Sequence, residues 1–120
     1  ISEFKNAGIR TSIFIDTDLK LIEAAAKTGA DRIELYTEYF ASEYDKGNEK
    51  AIKPYAQASK LAHELGLGIN AGHDLSLDNI EFFKQNISNL AEVSIGHALI
   101  SESLYLGLQN VVNMYLHRLQ

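Results

Sequence analysis

The sequence predicts an α/β fold, four strand-helix units built around a parallel sheet. Three observations carry that prediction. Four short apolar runs of β character are each followed by a stretch with helical spacing. The runs begin at residues 9, 32, 67 and 90, so 23 or 35 residues separate them, room for one helix each. The junctions leading into the first three strands also repeat, with glycine at the helix stop in Asn6-Ala7-Gly8-Ile9, Thr28-Gly29-Ala30-Asp31 and Glu64-Leu65-Gly66-Leu67. Alternation of this kind is the pattern of right-handed βαβ units. Four such units make half of a (β/α)8 barrel. A flavodoxin-like doubly wound sheet competes, but it would ordinarily require a fifth strand and an earlier Gly-rich loop.

Each element has its own warrant. Residues 1–7 read as the tail of a helix with Phe4 and Ala7 on one face. With no initiator Met, the chain is expected to be a piece of something longer and to form one domain over residues 1–120. A strand over 9–15 becomes continuously apolar at Ile13, Phe14 and Ile15, as expected of burial on both faces. Asp16 to Asp18 supply a turn and an N-cap, after which Leu19, Ile22 and Ala26 recur at helical spacing. The second strand covers 32–36 and is followed by a polar loop over 37–48. Tyr55, Ala58, Ala62 and Leu65 form one helical stripe, with Pro54 in its first turn. The third strand covers 67–71, and a helix from about residue 78 aligns Ile80, Phe83 and Ile87. The fourth strand covers 90–95, and one last helix carries Ile100, Leu104, Leu108, Val111 and Tyr115.

Composition narrows the function classes. A chain of 120 residues is long enough to bury a core of its own. With no cysteine there is no disulfide framework or thiolate metal site, and a reducing cytoplasm is the expected compartment. No run of about 18 apolar residues occurs, so no membrane span is expected. A formal charge of -5 without a Lys/Arg cluster argues against nucleic acid or an anionic membrane as partner. A small anionic substrate remains compatible, because backbone amides can hold it.

In parallel barrels the working groups sit at the C-terminal ends of strands, with phosphate near strands seven and eight. If these are strands five to eight, that rule selects Asp16, Glu34 with Thr37, His73 with Asp74, and Gly96 with His97. Glu34 interrupts the apolar run Ile33-Glu34-Leu35, and alternation sends it to the opposite face from its neighbours, toward the barrel mouth. The competing reading is a half-buried carboxylate paired to Lys or Arg. His73, between Gly72 and Asp74 at a strand end, reads as an acid-base group rather than a packed core histidine. His97 after Gly96 reads as a ligand-facing turn. His63 and His117 read as surface residues, Glu38, Glu43, Asp45 and Glu49 as a solvated acidic rim, and the tyrosines mostly as core or interface. Glu34, His73, Asp74 and His97 are also oxygen and nitrogen ligands of the kind found in metal-dependent barrels, but none of the tight ligand spacings is present.

The motifs Ile33-Glu34-Leu35-Tyr36-Thr37, Asn70-Ala71-Gly72-His73 and Ser94-Ile95-Gly96-His97-Ala98-Leu99-Ile100 resemble the second half of the pyridoxine 5'-phosphate synthase family, and the similarity extends to Leu106-Gly107-Leu108-Gln109-Asn110. The resemblance implies a (β/α)8 TIM barrel with extra helices, of which this chain supplies strands five to eight, assembled as a homo-octamer. It further implies condensation of 3-amino-2-oxopropyl phosphate with 1-deoxy-D-xylulose 5-phosphate, without metal or redox cofactor. Carried over by motif, His73 is the proton donor and Glu34 stabilises the transition state, while Asp74, Gly96 and His97 bind the aminoketone phosphate. Position 74 is often glycine in that family, and its His-Thr-Gly appears here as Tyr36-Thr37-Glu38. A phosphate is expected at the mouth formed by residues 72–74 and 96–98, held by amides, with the Asp74 carboxylate turned away. Two readings from other classes stand beside it: a non-catalytic half-barrel module that binds a phosphorylated ligand or a partner, and a metal-dependent barrel hydrolase or isomerase.

Overall fold

A computed structural model describes all 120 residues. Four strands, β1 (Ser12–Ile15), β2 (Arg32–Tyr36), β3 (Gly68–Gly72) and β4 (Leu90–Ser94), form one parallel sheet in chain order. The helices are α1 (Ser2–Asn6), α2 (Leu19–Lys27), α3 (Glu38–Asp45), α4 (Lys53–Glu64), α5 (Ile80–Asn86), α6 (His97–Leu106) and α7 (Leu108–Arg118), with a 3-10 turn at Glu49–Ile52 before α4.

Side-chain alternation divides the sheet into two unlike faces. Ile15, Ile33, Leu35, Ile69 and Ala71 point toward the helices and pack with Ile22, Phe40, Tyr55, Ala58, Ala62 and Phe83 in the main core. The opposite face carries Phe14 and, beside it, Arg32, Glu34, Asn70, Glu92 and Ser94, a polar set that no apolar layer could cover without stranding charges. One irregularity between Ile69 and Asn70 pairs them with Leu90 and Glu92, so Ala91 is the extra residue. That bulge keeps Glu92 and Ser94 on the polar face.

At the N-terminal end of the strands, the polar face is tied together by charge. Arg10 donates two hydrogen bonds to the Glu92 carboxylate, at 2.8 and 2.9 Å. Arg32 lies 3.0 Å from the same carboxylate and donates to Asn70 Oδ1, while Asn70 Nδ2 donates to Glu92. The Arg10 fork, with lesser help from Arg32 and Asn70, holds the Glu92 carboxyl below its ordinary range. Gly68 makes room here, since a methyl group at that position would meet Arg32 Cγ at 2.8 Å. Nearby, Asp31 accepts from the amide and hydroxyl of Thr11 and pairs with Lys5. These contacts, the Thr11 amide first, bring its pKa down to about 2.

Several expectations hold. Asp18 caps α2 by accepting from Lys20 N at 2.8 Å, Pro54 lies in the first turn of α4, and Gly29 and Gly66 stop α2 and α4 at φ near +78°. His63 and His117 are exposed. Others are corrected. The polar loop expected over 37–48 is largely helix α3, and it escapes a periodicity search because only Phe40 and Ala41 of its eight residues are buried. The single last helix is two, broken where Gly107 takes φ +83°. Of the stripe assigned to it, Val111 and Tyr115 pack with Ile80, whereas Ile100, Leu104 and Leu108 are exposed. Phe14 is also exposed, so β1 is buried on its helix side only.

Candidate active site

At the C-terminal ends of β2, β3 and β4 the polar face opens into a cavity of about 520 Å³. Its size falls within the roughly 300–1,000 Å³ of ordinary small-molecule sites. Glu34, His73, Asp74, Gly96 and His97, five residues from three segments of the chain, all line it. Phe14, Leu75, Ser94, Ile95 and Ala98 complete its walls. Asp16 is exposed and is not part of the lining, and Thr37 lies beneath it, fully buried.

Each side chain arrives for a local reason. Glu34 lies between two fully buried neighbours, Ile33 and Leu35, that face the helices, so the pleat turns it onto the polar face. Its carboxylate lies across Gly72: a Cβ there would stand 2.6 Å from Glu34 Oε1. No Lys or Arg approaches Glu34 within ion-pair distance, since both arginines of the polar face are committed to Glu92. The reading of Glu34 as half of a structural ion pair is therefore set aside.

His73 reaches the cavity against the pleat. Gly72 faces inward, so the next residue of a regular strand would face the helices. Instead His73 takes φ +92° and Asp74 φ +58°, two consecutive residues in the left-handed region. Such conformations cost non-glycine residues roughly 1–2 kcal/mol each and persist only where the surroundings impose them. The turn aims the imidazole at the mouth, half exposed, with its ring packed edge-on against Tyr36 at 4.7 Å between centroids. Asp74 Oδ2 lies 3.3 Å from His73 Nδ1, so the Asp74 carboxylate is turned toward the imidazole while the residue remains in the cavity wall. Burial, then the Glu38 carboxylate that accepts from the Tyr36 hydroxyl, raises the Tyr36 pKa above its ordinary value. No three His, Asp or Glu side chains converge to hold a metal ion.

The other wall is the start of α6. Gly96 is its N-cap and no side chain caps it, so the amides of the first turn, beginning at His97 and Ala98, have no side-chain acceptor. A Cβ at Gly96 would meet nothing within 4 Å, which leaves the approach to those amides open.

The family description "Pyridoxal phosphate biosynthesis protein PdxJ" matches residues 1–120. The chain belongs to this family. It is 72% identical over all 120 residues to the pyridoxine 5'-phosphate synthase of Flavobacterium johnsoniae and 66% identical to that of Christiangramia forsetii, covering 51% of each. The corresponding enzyme of Cytophaga hutchinsonii is 55% identical, with 50% of its length covered. The chain thus spans about half the length of the curated relatives it matches.

The structure also explains a departure noted in the sequence. Position 74 requires a left-handed backbone, the conformation glycine adopts at least cost, and aspartate is among the few other residues that take it readily. Sequence reasoning missed Ser94 and Phe14 in the wall. Strand alternation offered a signal for Ser94, which lies two residues before Gly96 on the inward phase of β4. It also missed Asn79, buried in the turn after His73, where Oδ1 accepts from Ser76 N and Nδ2 donates to the Asp74 carbonyl.

Proposed function

We propose that this chain supplies strands five to eight of a cytoplasmic (β/α)8 barrel, as a single unit over residues 1–120. The barrel condenses 3-amino-2-oxopropyl phosphate with 1-deoxy-D-xylulose 5-phosphate to pyridoxine 5'-phosphate, releasing phosphate and water. The observation that carries this reading is the convergence of Glu34, His73, Asp74, Gly96 and His97 on one cavity at the strand C-termini. The remaining catalytic groups come from the other half of the barrel, and the complete enzyme assembles as an octamer.

In this reading His73 donates a proton to a leaving oxygen during dehydration or phosphate loss, a task suited to an imidazole whose ordinary pKa is near 6.5. Glu34 faces the cavity without a cationic partner, so its charge is free to offset a developing iminium-like cation. The phosphate of the aminoketone sits at the start of α6, held by first-turn amides and the positive end of the helix dipole. Asp74 pairs with His73 Nδ1, which takes its carboxylate away from the second anion. Sheet and helix layers exclude water from below, and Tyr36 restrains the imidazole laterally.

The test uses a barrel of full family length carrying these residues. With both substrates it is expected to form pyridoxine 5'-phosphate, and His73→Asn should lower kcat roughly a hundredfold or more with KM little changed. Gly96→Val should leave folding intact but weaken phosphate-ester binding more than His97→Gln does, because the new side chain fills open space before the amides. Absence of turnover in the full-length barrel, or an unchanged kcat in His73→Asn, would overturn the assignment.

A further inference from the structure

We propose that Thr37 is a positioning residue for His73, acting on the backbone of the strand end without touching substrate; this deepens the functional reading above and rests on it. The problem it solves is parity. By strand alternation His73 belongs on the helix side of the sheet, and only its left-handed backbone brings the imidazole round to the cavity. Something must hold that conformation, because a positive φ costs a side-chain-bearing residue energy and His73 lies at +92°.

Thr37 is fully buried at the junction of β2 and α3. Its hydroxyl lies 2.7 Å from the Gly72 carbonyl oxygen and 2.5 Å from the His73 carbonyl oxygen, and donates its proton between them. Its backbone N–H donates to the Gly72 carbonyl as well, at 3.0 Å. Those two carbonyls belong to the peptide planes on either side of the His73 Cα. Holding both planes fixes φ and ψ of His73 together, which a contact to a single carbonyl would not do. A buried hydroxyl needing only a partner would be satisfied by one acceptor; this one bridges the two that define the turn. Downstream, Asn79 holds the Asp74 carbonyl, so the two left-handed residues are gripped from both ends by buried polar side chains. Thr37 itself is absent from the cavity wall, which separates its role from substrate contact.

The experiment compares Thr37→Val, which keeps the shape and removes the hydroxyl, with Thr37→Ser, which keeps the hydroxyl, in the full-length barrel. Thr37→Val is expected to lower kcat about tenfold or more with KM for both substrates within about threefold. Thr37→Ser should retain most of the activity. In a His73→Asn background Thr37→Val should cost little further, since its effect passes through the imidazole. An unchanged kcat in Thr37→Val, a Thr37→Ser as impaired as Thr37→Val, or a full additional loss in the His73→Asn background would each overturn the proposal. A second cycle reads stability alone. Glycine accepts the left-handed backbone freely, so Thr37→Val should lower the melting temperature less in a His73→Gly background than in the native one. If Thr37→Val does not fold, the double variant should fold; an equal drop, or failure of both, counts against the proposal. An inactive native barrel would sink the functional reading while this second cycle still decides the role of Thr37.

Discussion

A methyl group at position 72 would collide with Glu34 Oε1 at 2.6 Å and Ser94 Cβ at 2.9 Å and press on the Ser94 carbonyl oxygen at 3.1 Å. The last is backbone and cannot move without disturbing the β3–β4 ladder. Gly72→Ala is therefore expected to destabilise the fold by roughly 1–3 kcal/mol, the usual range for overpacking, and, in the enzyme proposed above, to lower kcat by displacing the Glu34 carboxylate. Gly68→Ala is its control. The clash there is with Arg32 Cγ at 2.8 Å, on a flexible side chain remote from the cavity, so stability should fall with kcat nearly preserved. Chemical denaturation and steady-state kinetics on the pair would separate the two effects. A Gly72→Ala enzyme with native kcat would show that Glu34 does not need its present place.

Among the elements, α6 and α7 show how a local backbone choice redirects a helix. Gly107 takes φ +83° with only Asn110 Nδ2, at 3.9 Å, near a potential Cβ. Replacement by alanine would thus meet strain without a clash and should cost about 1 kcal/mol, read from denaturant melts. An unaltered midpoint would mean that the junction relaxes into continuous helix. This break was illegible in the sequence because Leu104, Leu108, Val111 and Tyr115 keep helical spacing straight through it, and one glycine in a periodic run is weak punctuation. Helix α3 was illegible for the opposite reason: Glu38, Glu43 and Asp45 present charge where a stripe would be sought. The strands were plain, since Ile33 and Leu35 around Glu34 carry both the element and the direction of its one polar side chain. His73 was found by its neighbours, although strict alternation pointed it the wrong way. The grip of Thr37 and Asn79 had no sequence signal, because both act on carbonyls that a sequence does not display.

At the scale of the whole molecule, the sheet has helices on one face and charge on the other, with β1 and β4 as open edges. Phe14 on β1 and Ile100, Leu104 and Tyr105 on α6 add exposed apolar surface. Unpaired edge strands with apolar flanks invite pairing with other chains. The 120-residue chain alone is therefore expected to associate in a concentration-dependent way on size exclusion and to show no turnover; a stable, active monomer would contradict this. The Arg10–Glu92 fork bears on the same question, because it reaches from the entrance of one edge strand to the opposite edge strand, across β2 and β3. The two side chains meet only when the four strands bend through a sufficient arc. In the eight-stranded barrel proposed above, the two arcs must sum to a full turn, so an exposed charge pair outside the cavity would help set the curvature on which closure depends.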